Sequence, residues 1–435
     1  MILLGLLPLS LSAVLLAAHH FRVSETGLVL FWLLAPSALL LRRKWATRAV
    51  QFLLLIGALI WIDTARSIIQ VRQLTGQSWT NVAIILGSVS LLAIASALIL
   101  NTSKLRNFFL VESISWKSGG AAFLITIILL AVVQTKVRLP ILLLERFIPG
   151  SGWLEIFGLA IYAGWLAEKL SDINQTAMWR RRIWLAFSIV FFAQLILGLA
   201  GIEKFLMTGK LHMPMPAMII AGPLYRGDGI FMPLLFISTV LLVGPGWCSY
   251  LCYIGSWDLT AADCKRKPKP LPAAGRAIRL AILAIVPATA ISFRLLGVSL
   301  LAATIAALSF GIIGVIVMLI LSKKLGTMVH CVAYCPIGIL ANWLGKISPF
   351  RIRLNDSCNE CGACTFACRY DALNIDDIQS RQPGLTCTLC GDCLSRCRET
   401  AIEYRFLGLS PMRARTLFVV MIASLHAIFM GTARI

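Results

Sequence analysis

The chain has 435 residues, of which 59% are hydrophobic, and its mean hydropathy is +0.85. This composition excludes an ordinary soluble domain and indicates a membrane protein. The formal net charge of +21 would suit nucleic acid, but the basic residues lie between apolar runs, where they orient membrane helices, so nucleic acid is excluded as a partner.

Apolar runs long enough to cross a bilayer recur along the whole chain. A membrane-spanning helix needs about 20 such residues. By this criterion the sequence predicts about eleven spans, at residues 1–18, 25–41, 47–63, 81–100, 120–139, 152–168, 183–201, 229–246, 276–294, 297–321 and 413–430. The first run is predicted to be an anchor and not a signal peptide, because no Lys or Arg precedes Arg22.

Clusters of Lys and Arg lie in the segments 42–48, 180–182 and 263–279. With eleven spans, all three segments fall on one face of the membrane, which the positive-inside rule identifies as cytoplasmic. The same arrangement of eleven spans places residues 322–412 on that face. All 13 cysteines lie from Cys248 onward and therefore face the cytoplasm, where thiols stay reduced. Metal binding explains them better than disulfide bonds do.

The loop "GKLHMPMPAMIIAGPLYRGDGIF", residues 209–231, is predicted on the opposite face. It is apolar, rich in Pro and Met, and contains His212, Arg226 and Asp228. The interpretation we favour is a re-entrant loop that packs against the helices, with its charges at the lipid headgroups. The alternative is a quinone or partner site, since a quinone requires an apolar slot with a few polar groups.

Two cysteine pairs with the same spacing follow apolar runs. Cys248 and Cys252 lie in "WCSYLCYIG", and Cys331 and Cys335 lie in "HCVAYCPIG". A spacing of four residues puts both sulfurs on one face of a helix. The four thiols are predicted to hold a third iron–sulfur centre or a soft ion such as Cu(I), or to work as a redox-active dithiol pair. The alternative is that they only pack between helices.

An internal repeat begins at Cys358. At an offset of 29 residues, the segments from Cys358 and Cys387 both read C-x-x-C-G-x-C-x-x-x-C-R-x-x-A. Three cysteines at two-residue gaps wrap one 4Fe–4S cluster, and the fourth points to the other cluster. A zinc ribbon, the alternative, uses two cysteine pairs and not this pattern twice. Strand-like pieces at 352–355, 372–375 and 401–404 flank the loops, as a small α+β module requires.

This spacing assigns two sets of ligands. The first ligand set, for one 4Fe–4S cluster, is Cys358, Cys361, Cys364 and Cys397. The second ligand set, for the other 4Fe–4S cluster, is Cys387, Cys390, Cys393 and Cys368. We call the remaining paired cysteines, Cys248, Cys252, Cys331 and Cys335, the four-thiol set.

The repeat resembles bacterial dicluster ferredoxins, except that Arg369 and Arg398 stand where those proteins usually have Pro. C-x-x-x-C motifs after membrane helices, followed by such a module, resemble the NapH/NosR/CcoG group of membrane polyferredoxins over about residues 180–430. Tyr253 departs from the Pro usual after the first motif. The flavin-attachment sequence of NosR-type members is missing.

The resemblance and the apolar pattern together imply an α-helical polytopic membrane protein with a dicluster ferredoxin-like module on the cytoplasmic side of the bacterial inner membrane. We expect four parts: an N-terminal transmembrane unit at 1–110, a core transmembrane domain at 111–349, the ferredoxin-like module at 350–407 and a C-terminal transmembrane helix at 408–435. The role of residues 1–110 is left open.

The function implied by the resemblance is electron transfer between the quinone pool, or a cytoplasmic donor, and a redox partner protein bearing flavin or haem. Two 4Fe–4S clusters would act as relays. Membrane lipid would surround the transmembrane helices. One alternative is a CcoG-type copper reductase or assembly factor, and another is a non-catalytic redox sensor or scaffold. The resemblance leaves open whether the chain is a subunit of a quinol dehydrogenase or oxidoreductase complex.

Overall fold

The computed structural model describes residues 2–102, 105, 109, 116–137, 139–206, 213–272 and 274–432, without the side chains of residues 2–5 and 276. His212, one of the residues predicted for the quinone or partner loop, lies outside the described residues. The chain divides into two compact units, Met1–Glu168 and Lys169–Ile435.

The first unit is built from helices alone in its described part. They are Ile2–Arg22, Thr26–Leu34 with its 3₁₀ continuation Ala35–Leu41, Lys44–Leu74, Thr80–Ile99, Trp116–Lys136, Leu143–Phe147 and Gly152–Ser171, the last of which continues into the second unit.

Small and polar residues let these apolar helices pack closely. Trp45 is buried between Gly119 and Gly164, and a Cβ at either glycine would come within 3.0 Å of the indole ring. Gln51 Nε2 donates to the carbonyl oxygen of Ala97 at 2.9 Å. Between membrane helices, close backbone approach and such hydrogen bonds replace the hydrophobic driving force.

The second unit carries all the cysteines. Its α-helices are Ile173–Leu199, Met218–Arg226, Phe231–Val243, Gly246–Tyr250, Gly255–Ala262, Ala274–Leu295, Leu300–Val317, Lys323–Leu325, Pro336–Gly345, Ile375–Gln379 and Pro411–Thr432. Short 3₁₀ turns occupy Glu203–Phe205, Thr365–Ala367 and Leu394–Arg396, and π-helical turns occupy Met318–Ser322 and His330–Tyr334.

Two short strands close the cysteine-rich module. Arg351–Leu354 pairs antiparallel with Ile402–Arg405, with Leu354 opposite Ile402. Alternate side chains are buried along both strands, as a half-buried two-stranded sheet requires. The strand-like piece predicted at 372–375 is wrong: Asn374 and Asp377 form a capping box there, which starts the helix Ile375–Gln379.

Seven helices among the described residues are long and apolar enough to cross a membrane. They are Lys44–Leu74, Thr80–Ile99, Trp116–Lys136, Ile173–Leu199, Ala277–Leu295, Leu300–Leu325 and Pro411–Thr432. Each coincides with a predicted span. The runs near 1–18, 25–41 and 229–246 form shorter apolar helices instead, Leu6–Arg22, Thr26–Leu41 and Phe231–Val243. The predicted helical architecture is confirmed.

Candidate metal centres and their surroundings

The two cysteine repeats adopt the same local structure at their offset of 29 residues. Gly362 and Gly391 have φ values of 70° and 78°, the left-handed region in which glycine is favoured. Each repeat then makes a 3₁₀ turn, Thr365–Ala367 in one and Leu394–Arg396 in the other. The sequence repeat is therefore a structural repeat.

Backbone amides already point at the sulfurs that end each repeat. The amide of Ala372 donates to Cys368 Sγ at 3.4 Å, and the amide of Ala401 donates to Cys397 Sγ at 3.3 Å. Such bonds stabilise thiolate ligands of iron–sulfur clusters. The chemistry of these loops therefore fits the groups that the spacing implied.

The structure also brings each crossed ligand set together. The pKa of Cys364 is raised by burial and by the neighbouring thiols of Cys358, Cys397 and Cys361. The pKa of Cys393 is raised well above its ordinary value by burial and then by the thiols of Cys390, Cys387 and Cys368. In the structure Cys397 thus lies near the other thiols of the first ligand set, and Cys368 lies near those of the second.

The two sets differ in their exposure. Cys361 of the first set is exposed. In the second set Cys393 is buried, and Cys368, Cys387 and Cys390 pack against a hydrophobic cluster that contains Trp184 and Tyr370. The first set therefore lies toward solvent, and the second faces the rest of the unit.

The four-thiol set converges on one cavity. Cys248 lies in the helix Gly246–Tyr250 and Cys252 just beyond it, whereas Cys331 lies in a π-helical turn and Cys335 precedes the helix Pro336–Gly345. All four line one small cavity, of about 20 Å³. The structure therefore brings the two C-x-x-x-C motifs together.

Burial raises the pKa of all four of these thiols. Burial raises the pKa of Cys252 to about 11 and that of Cys335 to about 12. The pKa of Cys331 is raised well above its ordinary value by burial, by Asp258 and by the other three thiols. Four thiolates would repel one another here unless a metal centre compensated their charge.

Tight turns hold the two motifs in place. Gly244, with φ of 64°, and Pro245 end the preceding helix and start the turn that carries Cys248. Gly338 lies against Cys331, whose carbonyl oxygen would be 2.6 Å from a Cβ at that position. Trp184 Nε1 donates to the carbonyl oxygen of Cys252 at 2.5 Å, which fixes the end of the first motif.

The thiols of each set are neighbours, but their sulfur atoms are farther apart than the ligands of one metal ion would be. Among the residues that the structure describes, no three His, Cys, Asp or Glu side chains form a group that could hold one metal ion.

Hydrogen bonds join the four-thiol set to the second ligand set. Tyr250 Oη donates to the carbonyl oxygen of Cys390 at 2.8 Å, and Ser249 Oγ donates to that of Thr388 at 3.0 Å. Tyr370 lies between the sets: its pKa is raised by burial, lowered by Arg180 and raised again by the thiols of Cys331 and Cys390. The two candidate centres are therefore immediate neighbours.

Arg369 explains one departure from the ferredoxin pattern. Its Nη1 donates to the carbonyl oxygen of Gly326 at 2.8 Å, and its Nε lies 3.2 Å from Asp263 Oδ1. Its own carbonyl oxygen accepts from the amide of Met328. Arg398, at the equivalent place in the other repeat, is exposed. The first of these arginines thus docks the module on the helical part of the unit.

Sequence reasoning missed the ion pair of Arg180 and Asp392. The two side chains are joined by two hydrogen bonds of 2.8 and 2.5 Å, and the arginine side chain has no exposed area. The signal was a difference between the repeats, because Ala363 occupies the position equivalent to Asp392.

The loop predicted as a quinone or partner site contributes apolar residues to the thiol region. Residues 215–217 line a second small cavity, of about 30 Å³, together with His330 and Cys335. Arg226 and Asp228 pair with each other at 3.2 Å, and the aspartate side chain is 78% exposed. The structure therefore brings the Pro- and Met-rich part of the loop to the thiols and leaves Asp228 at the surface.

Two segments of the chain are similar to a known family. Residues 226–269 and 304–355 match a family described as "4Fe-4S binding domain". These two segments contain both C-x-x-x-C motifs and end before Cys358.

The chain is also 27% identical over 226 residues to YccM of Escherichia coli (strain K12), which is named as an electron transport protein. The alignment covers 46% of this chain and 59% of that relative, so the chain spans well under two thirds of YccM. No solved structure matches the chain.

These findings support a membrane protein that transfers electrons through 4Fe–4S clusters. This is the class that the resemblance to membrane polyferredoxins implied, and that prediction is confirmed.

Proposed function

We propose that the second unit carries a relay of three iron–sulfur centres between a partner in solution and a partner in the membrane. The first and second ligand sets hold one 4Fe–4S cluster each, and the four-thiol set holds a third cluster. Each cluster, when bound, supplies a site that accepts and releases one electron. The observation that carries the proposal is the hydrogen bond from Tyr250 to Cys390, which makes the third site a neighbour of the second.

Two observations support a cluster at the four-thiol set. The segments around these cysteines match a family described as binding 4Fe–4S, although the eight cysteines of the repeat lie outside the match. Four thiols, two of them buried and two partly buried, also line one cavity, and ionising all of them requires a compensating cation. A copper site of the CcoG type uses the same thiols and is the competing proposal.

Exposure suggests the order of the relay. Cys361 of the first ligand set is exposed, so a redox partner in solution would exchange electrons there. The second ligand set packs against a hydrophobic cluster of the helical part of the unit and would pass electrons to the four-thiol set. A quinone in the bilayer is the proposed membrane-side partner, and a flavin- or haem-bearing protein is the proposed soluble one.

We also propose that the module lies on the cytoplasmic side of a bacterial inner membrane and that eleven spans cross it. Arg181 Nη1 lies 2.5 Å from Asp263 Oδ2, and Arg369 reaches the same carboxylate. The basic segments 180–182 and 263–269 therefore lie beside the module. Basic segments mark the cytoplasmic face of membrane proteins, which supports this orientation.

The test is a metal count on protein purified without oxygen. Three cubanes correspond to about 12 irons per chain, and two to about 8. We expect wild type to hold about four irons more than a variant with Cys248, Cys252, Cys331 and Cys335 all changed to Ser. Cys264→Ser is the matched control, because Cys264 is exposed and outside all three sets. Equal iron in wild type and the quadruple variant, with copper lost from the variant, would favour the copper site instead.

A further inference from the structure

A fully buried ion pair lies beside the second ligand set. Arg180 Nε donates to Asp392 Oδ1 at 2.8 Å and its Nη2 donates to Oδ2 at 2.5 Å. The remaining nitrogen, Nη1, donates to the carbonyl oxygen of Ser249 at 3.2 Å, and the guanidinium lies 5.2 Å from the ring centroid of Trp184. One cation thus contacts the cluster loop, the first C-x-x-x-C motif and the indole that supports Cys252.

Both charges act on a predicted cluster ligand. Asp392 lies between Cys390 and Cys393 in the chain. Arg180 donates to both carboxylate oxygens of Asp392, so one positive and one negative charge lie beside the loop that carries these two ligands. The two charges influence a centre bound there in opposite directions. Because both side chains are almost fully buried, water screens these effects only weakly.

Stability alone does not account for the pair. A buried ion pair is often no more stabilising than apolar side chains of similar volume, since the desolvation of both charges offsets their attraction. The repeat supplies an internal comparison: Ala363 occupies the position of Asp392 in the first repeat, and the adjacent glycines, Gly362 and Gly391, have nearly the same φ. The loop therefore folds without a carboxylate at this position.

We infer that Arg180 and Asp392 are positioning residues that set the reduction potential of the second cluster relative to the first. Reduction adds one negative charge to a cluster, so a nearby guanidinium favours the reduced state and a nearby carboxylate opposes it. The same hydrogen bonds hold the cluster loop against the first C-x-x-x-C motif. The inference rests on the second cluster of the proposed function.

The test measures the potentials of both clusters in the full-length protein. Each potential is followed by the EPR signal of its cluster during a redox titration, with signals assigned from Cys361→Ser and Cys387→Ser variants. Arg180→Met leaves an unpaired carboxylate and is expected to lower the potential of the second cluster. Asp392→Asn leaves an unpaired guanidinium and is expected to raise it. The potential of the first cluster should stay the same in both.

Two further variants serve as controls. Arg182→Met removes an exposed cation from the same helix, one that stacks on Trp179 at 5.0 Å, and should leave both potentials unchanged. The double variant Arg180→Met with Asp392→Leu removes both charges at once and should return the second potential toward that of wild type. If one single variant fails to assemble, the shift in the other is measured against wild type and against this double variant, which leaves no unpaired buried charge.

Shifts of the same sign in both single variants, or no shift in either, would overturn the inference. Assembly of the double variant alone would do so as well, since the pair would then serve assembly and not potential. If the wild-type protein lacks a cluster on Cys368, Cys387, Cys390 and Cys393, as shown by its iron content, the proposed function fails instead.

Discussion

Tyr250 and Cys390 are joined by a hydrogen bond of 2.8 Å from the phenol to the backbone carbonyl. The tyrosine belongs to the first C-x-x-x-C motif, and the cysteine belongs to the second repeat, 140 residues later. This contact connects two cysteine clusters that are separate in sequence, and in the relay that we propose they are consecutive sites.

Tyr250→Phe should weaken this connection without removing a ligand. A buried carbonyl left without its donor costs about 1–3 kcal/mol, so the loop of Cys390 is expected to loosen. We predict unchanged iron content and slower reoxidation of the second cluster through the four-thiol set, measured by stopped-flow spectroscopy. Tyr225→Phe is the matched control, since its hydroxyl bonds the carbonyl oxygen of Val298 at 2.9 Å, far from the thiols in sequence. Equal slowing in both variants would contradict the assigned role of Tyr250.

In the crossed ligand sets, the fourth cysteine of each repeat binds the cluster of the other repeat. Sequence order alone would predict that it binds the cluster of its own repeat. Cys368→Ser should remove the second cluster, although Cys368 lies in the first repeat, and Cys397→Ser should remove the first cluster. The thiol of Cys397 neighbours Cys364, and that of Cys368 neighbours Cys393. EPR spectra of the two variants, compared with those of Cys361→Ser and Cys387→Ser, check the assignment. Loss of the first cluster's signal in Cys368→Ser would show that each repeat binds its own cluster.

The two arginines that replace the ferredoxin proline should differ in importance. Arg369→Ala removes a buried hydrogen bond to Gly326 and an ion pair with Asp263, and is expected to cost about 1.5–3 kcal/mol. Arg398→Ala removes an exposed side chain and is expected to change stability by less than about 0.5 kcal/mol. Thermal unfolding of the purified protein in detergent measures both. Similar melting temperatures for the two variants would mean that Arg369 does not dock the module.

Gly255 should be essential for the four-thiol set. A Cβ at this position would lie 2.2 Å from Cζ2 of Trp184, the residue whose indole supports Cys252. Gly255→Ala is therefore predicted to displace Trp184 and to lower the iron content by about four atoms, one cubane. Gly158→Ala is the control, because a Cβ there would meet no atom within 4 Å in the described part of the chain. Full iron content in Gly255→Ala would show that the site tolerates the displacement.

Much of the architecture follows from local patterns in the sequence. The repeat at Cys358 and Cys387 predicts its own turn geometry, because the glycines and cysteines recur at fixed spacing. The seven helices long enough to span a membrane all lie on predicted apolar runs, since length and apolarity are properties of a single segment.

Features that depend on distant partners were harder to predict. The run 229–246 reads as one span, but Gly244 and Pro245 end its helix after Val243 and turn the chain toward the thiols. In the sequence, Arg180 is one of several basic residues at the end of a predicted membrane span. Its hydrogen bonds to Asp392, 212 residues away, are visible only in the structure. The strand expected at 372–375 failed because apolar residues there suggested a strand while the Asn374–Asp377 capping box starts a helix.

The most direct test of the relay is EPR spectroscopy of the fully reduced protein. Two paramagnetic centres at neighbouring sites split or broaden each other's signals. We predict that the signal of the second cluster is still split in Cys361→Ser, where the first cluster is absent, and becomes simple when Cys331→Ser and Cys335→Ser are added to that variant. A second-cluster signal that is the same with and without the four-thiol set would contradict the account, because no redox centre would then lie next to the second cluster on the membrane side.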